Sequence, residues 1–207
     1  MASSLKQSVL FFVLALFATS AVVHADPDIL TDFILPLGYN GANGSFFSNS
    51  GFRGIFSGPD PTTFKVTKNF LAEFPALNGQ SVGMAVLQYP AGTVNPPHTH
   101  PRSAELLFVV YGSLEVGFVD TTNKLYTQTL QLGDTFIFPK GLIHFQYNAD
   151  AKEPAIAVSA FGSAAAGTVS VPTTLFSTSI DDDVLAKSFK SDVATIQKLK
   201  AGLANKA

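Results

Sequence analysis

The sequence predicts an all-β sandwich or barrel followed by short α-helices at the C-terminal end. From about Gln80 to Gly162, short runs rich in β-branched and aromatic residues recur between turn signals. No long helical pattern separates them, as a doubly wound parallel sheet would require. Beyond residue 180 the apolar spacing changes to that of a helix.

The strand-like runs are residues 82–89, 105–111, 114–119, 125–130, 135–138, 143–147 and 155–161. Asp120-Thr-Thr-Asn-Lys124 reads as a hairpin loop, and Gly133-Asp134 and Lys140-Gly141 as further turns. Asp181-Asp182-Asp183 places acidic groups where a helix N-terminus is positive, ahead of Val184, Leu185, Ala186 and Phe189. Ser191-Asp192 can cap a second helix carrying Val193, Ile196, Leu199 and Leu203. Residues 26–62 are rich in Gly, Ser, Asn and Pro with interspersed Phe, which reads as an irregular arm pinned by aromatic rings. The expected layout is a signal peptide at 1–25 and a single domain at 26–207. Within that domain, 26–79 form the arm, 80–171 the barrel core and 172–207 the helices.

Lys6, the apolar stretch Val9 to Ala18 and the small residues Val23 and Ala25 together form a secretory signal, with cleavage expected after Ala25. The stretch is too short for a comfortable membrane span. Thirteen Lys and Arg against fifteen Asp and Glu leave a formal charge of -2 without a basic run. Nucleic acid and anionic membrane are therefore not expected partners. The chain has no cysteine, so an exported protein of this sequence must draw stability from its core, a bound metal or oligomerisation. Asn43-Gly44-Ser45 fits the N-glycosylation pattern within a Gly-rich loop.

The chemistry concentrates in the histidines. Of four, His24 leaves with the signal peptide, and the rest are His98, His100 and His144. In a strand, His98 and His100 share a face and can reach one ion. Glu105 would point the other way along a continuous strand, but the intervening Pro101-Arg102-Ser103-Ala104 can bend the chain and re-aim it inward. His144 shares a strand face with Gln146. Three imidazoles and one carboxylate form a plausible metal set, and these ligand types suit Zn, Cu, Fe, Ni or Mn.

Two stretches carry a family resemblance. Gly92-Thr-Val-Asn-Pro-Pro-His98-Thr-His100-Pro-Arg-Ser-Ala-Glu105, with Gly112 beyond, resembles the first cupin motif. Gly133-Asp-Thr-Phe-Ile-Phe-Pro139-Lys-Gly141-Leu-Ile-His144-Phe-Gln-Tyr-Asn148 resembles the second. Both are similar to the form found in plant germins and germin-like proteins, and the likeness covers essentially the whole mature chain. It implies a cupin jelly-roll β-barrel holding one manganese ion through His98, His100, Glu105 and His144. It also implies a secreted, apoplastic and wall-associated location and a homohexamer built as a trimer of dimers. Germins usually carry a cysteine pair near the mature N-terminus, and the region from Phe33-Ile34-Leu35 onward has none. Oxalate-oxidising germins use two asparagines near the metal. Asn95 matches one, while the other position is Ala85.

Three functions follow from the resemblance. The leading one is manganese-dependent superoxide dismutation, with catalysis through the metal held by His98, His100, Glu105 and His144, and with Asn95 and Gln146 orienting superoxide or water. The second is oxalate oxidation, weakened by Ala85 because a dianion needs donors to offset its desolvation. The third is a non-catalytic wall, storage or ligand-binding protein that keeps its metal for stability.

Overall fold

The computed structural model describes residues 28–204. The expected signal peptide and its cleavage point lie outside the described residues. The elements are α1 (Arg53–Ser57), β1 (Lys65–Asn69), a 3-10 turn (Pro75–Leu77), β2 (Gly83–Tyr89), β3 (Val94–Thr99), β4 (Glu105–Tyr111), β5 (Ser113–Val119), β6 (Leu125–Gln131), β7 (Thr135–Phe138), β8 (Ile143–Tyr147), β9 (Ala155–Phe161), β10 (Val169–Ser170), α2 (Val171–Phe176), α3 (Asp182–Ser188) and α4 (Val193–Leu203). The strands form two five-stranded sheets, ordered β1-β2-β9-β4-β7 and β10-β3-β8-β5-β6. Every neighbouring pair is antiparallel. The expected β jelly roll with short C-terminal helices is the fold observed.

Strand alternation builds the core between the sheets. On β4, Glu105, Leu107 and Val109 are buried while Leu106 and Phe108 are exposed. On β9, Ala155, Ala157, Ser159 and Phe161 point inward. With Tyr89, Leu114, Val116 and Phe138 these side chains fill the space between the two sheets. The β4–β5 turn requires glycine: Gly112 has φ +73°, and a Cβ there would lie 2.5 Å from the Pro154 carbonyl oxygen. The expected β5–β6 hairpin forms around Asp120, whose Oδ1 accepts hydrogen bonds from the backbone N–H of Thr122 at 2.8 Å and of Lys124 at 2.9 Å.

The outer face of the first sheet is apolar. Met84, Ala160, Leu106 and Ile137 occupy one register row across β2, β9, β4 and β7, and all four are exposed. Phe108 lies one pleat away, also exposed.

At the C-terminal end, Asp181 Oδ1 accepts from the N–H of Asp183 at 2.9 Å and of Val184 at 3.2 Å, capping α3. Asp192 Oδ1 accepts from Thr195 N–H at 2.9 Å and caps α4. Leu185, Ala186 and Ile196 form a second, smaller core against Phe176, Ile180 and Val193. Lys200 and Asp182 pair at 2.6 Å and tie the two helices together. No helix among the described residues is long and apolar enough to cross a membrane.

Several elements fall outside the sequence expectation, among them α1, β1, β10 and α2. Strand β1 lies within the stretch read as an irregular arm, yet it pairs with β2 along its full length. Helix α2 begins at Val171, where Pro172 and two threonines give no helical period, although proline suits a first turn.

Candidate metal centre

The two sheets meet at the four predicted ligands. His98 on β3 and His144 on β8 face each other directly in register. Their register shifts between Asn95 and His98, across Pro96-Pro97, because neither proline can donate to the ladder. His100 follows one residue past the end of β3, and Glu105 opens β4 in the opposite sheet. Residues 101–104 therefore do more than bend a strand, since they carry the chain from one sheet to the other. The Arg102 N–H donates to the Ala166 carbonyl, and the Arg102 guanidinium to that of Ala165, which holds this crossing.

All four side chains are buried, with exposures of 3% for His98, 7% for His100, and 1% for Glu105 and His144. One ligand atom from each lies within 4.8 Å of every other. Each imidazole Nδ1 meets a backbone carbonyl: His98 meets Pro96 at 2.8 Å, His100 meets Gly167 at 2.5 Å, and His144 meets Leu142 at 2.9 Å. A carbonyl only accepts, so Nδ1 carries the proton and Nε2 keeps its lone pair. Glu105 Oε2 sits 2.9 Å from His100 Nε2 and 3.2 Å from His144 Nε2. Two imidazole lone pairs facing a carboxylate oxygen repel unless a cation or an added proton lies among them. The donor set thus fits a metal ion, with the tautomers fixed as metal-bound histidine requires.

Glu105 Oε1 faces away from the histidines, accepting from Ser159 Oγ at 2.6 Å and from Gln146 Nε2 at 3.4 Å. Burial by itself raises the Glu105 carboxyl, but positive charge shared with His100 and His144, a proton standing where a cation would, reverses this and holds it well below the usual carboxylate range. Burial, reinforced by His144, pushes His98 down to about 4, so it stays neutral and available as a ligand at ordinary pH. Phe138 stacks on His144 at 4.4 Å, and Phe161 meets His100 edge-on at 4.9 Å.

A cavity of about 320 Å³ opens onto His98, His100 and Glu105. Asn95 borders it and donates to Gln146 Oε1 at 2.7 Å, so Gln146 lies behind Asn95 and links it to Glu105. Ala85 forms part of the wall. Asn43 lies apart on an exposed turn, its Oδ1 accepting from Ser45 N–H at 3.0 Å and from Ser45 Oγ at 2.6 Å. Sequence reasoning missed Ser159, Phe138 and Phe161. Ser159 was detectable as the one polar residue among the inward positions of β9, whereas the aromatic contacts depend on how strands stack.

A jelly roll holding three histidines and a glutamate between its sheets defines a cupin, and the cupin family model matches residues 59–197. Germin-like protein 9-3 of Oryza sativa subsp. japonica is 62% identical over 212 residues, covering 98% of this chain and 97% of that one. Putative germin-like protein 9-2 of the same plant is 61% identical, covering 95% and 94%. A solved structure of oxalate oxidase in complex with the substrate analogue glycolate is 31% identical with a TM-score of 0.78, covering 88% of this chain and 100% of that one. The chain belongs to the germin-like proteins of the cupin family.

Proposed function

We propose that the chain is a secreted, manganese-binding germin-like protein that dismutates superoxide in the apoplast. The observation that carries this reading is the buried His98–His100–Glu105–His144 set opening onto a cavity with one asparagine and no second amide to clamp oxalate. A manganese ion held by these residues would supply one-electron chemistry, with two superoxide and two protons yielding dioxygen and hydrogen peroxide. The chain's own residues do the rest. The three Nδ1–H···O=C contacts hold the imidazoles in ligand form, and Ser159 and Gln146 hold Glu105 ionised and oriented. Asn95, tied back to Gln146, places an amide at the cavity wall where superoxide or water can be oriented.

The mature chain begins at Asp26 and forms one domain with its arm at 26–79, core at 80–171 and helices at 172–207. Asn43 carries sugar, supported by its exposure. The assembly is a hexamer, supported by the apolar row on the outer sheet face, which is costly to leave in water. The test uses one purified, glycosylated sample, analysed for metal and assayed with superoxide. About one manganese per chain with chelator-sensitive activity is the expected result, and a manganese-replete protein without it sinks the reading.

Oxalate oxidation, giving carbon dioxide and hydrogen peroxide from oxalate and dioxygen, is the second reading. The likeness to oxalate oxidase and Asn95 at the cavity favour it. Oxalate-dependent peroxide release from the same sample decides it.

A further inference from the structure

The cavity beside the ligands is larger and more apolar than either reading demands. A water's share of the liquid is about 30 Å³, and superoxide is of comparable size, against a cavity of about 320 Å³. That volume falls in the range of small-molecule sites, which combine apolar walls with a few placed polar groups. The walls here are Val66, Phe70, Leu87 and Phe161, with Ala85 offering only a methyl group where an amide would serve a second carboxylate. Phe70 and Phe161 stand 5.0 Å apart at 57°, and Phe161 also contacts His100, so the aromatic wall reaches the ligands themselves.

Charge is confined to the two ends. Glu105 is deep, committed to the histidines, Ser159 and Gln146. Lys68 borders the cavity from an exposed position on β1, opposite Ala85 in register. Among the described residues no carboxylate forms an ion pair with it. Asn95, the amide on the wall, gives one of its two N–H donors to Gln146. A dianion such as oxalate would have to strip water from its second carboxylate against methyl groups and aromatic rings, with one remaining Asn95 N–H and the Thr168 hydroxyl as the neutral donors on the wall.

We propose that this cavity selects a carboxylate monoanion with an apolar body, of the size of benzoate, over oxalate. The carboxylate addresses the metal end, the body lies along Val66, Leu87, Phe70 and Phe161, and Lys68 draws the anion to the mouth. This rests on the metal reading of the four ligands.

Titration calorimetry on the manganese-loaded protein, with benzoate, oxalate and acetate as probes, tests it. Benzoate binds at least about tenfold more tightly than oxalate or acetate if its ring is buried on the wall. Ala85→Asn crowds the wall and supplies the missing amide, so benzoate weakens and oxalate gains. Should that variant fail to fold, Val66→Thr, which keeps the shape of a half-buried residue but adds a hydroxyl, weakens benzoate about threefold without affecting acetate. Lys68→Gln slows benzoate association at low salt, and the difference disappears at high salt. Oxalate or acetate binding as tightly as benzoate to metal-loaded protein overturns the inference and leaves the metal reading standing. A chain that takes up no metal overturns both, and elemental analysis of the same sample separates the two failures.

Discussion

Each ligand imidazole is aimed by a main-chain oxygen, so the site's geometry is written into the backbone as much as into its side chains. Glu105 differs: its orientation depends on Ser159, at 2.6 Å, more than on any other neutral side chain. Replacing Ser159 with Ala removes this contact without disturbing the strand, and metal affinity falls about 10- to 100-fold, measured by competition with a chelator. Glu105→Gln removes the only anionic member of the four-residue set, and the purified protein then carries little bound metal by elemental analysis. Acidity acts on the same residues. His98 is held at about 4, below its ordinary value of 6.5, so in that interval the unfolded chain binds a proton that the folded chain refuses. The corresponding stability is fully present above 6.5 and is lost as pH falls through about 4. Glu105, also depressed, acts in the same direction at lower pH. The melting temperature of metal-free protein should therefore drop between pH 6.5 and pH 4, and a flat profile would refute this account.

Among elements, legibility tracked how local the determining physics is. The caps of α3 and α4 were readable because an aspartate before an apolar helical spacing has few other uses. Asp181→Ala and Asp192→Ala should each cost about 1 kcal/mol in denaturant unfolding. Strands β4, β7, β8 and β9 were readable because alternation or dense apolar runs bounded by Gly and Pro leave little ambiguity. Strand β1 escaped because in Lys65-Val-Thr-Lys-Asn69, an edge strand, Lys68 shares the inward face with Val66, so no apolar/polar alternation is left to read. The ligands were legible for a different reason, since three of the four histidines fall within two motifs. What no local pattern could give was that Glu105 stands in the opposite sheet from His98 and His144, because a sheet assignment depends on pairing partners distant in sequence.

At the scale of the molecule, the apolar row Met84–Ala160–Leu106–Ile137 on the outer face sets the expectation for assembly. Light scattering should give a mass several times that of one chain. Phe108→Lys, adding charge beside that row, should shift the protein toward smaller species while leaving its bound metal in place. With no cysteine to staple it, the domain joins its two faces through the core between them, to which an ion gripped by histidines of one sheet and a glutamate of the other would add a second tie. Losing such an ion would loosen the two sheets where the chain crosses between them, and transient opening is what a protease attacks. In a fluid that contains proteases, the lifetime of each copy thus becomes a record of whether its centre is filled. Empty copies would be culled first, and the surviving population would stay enriched in competent centres without any dedicated inspection.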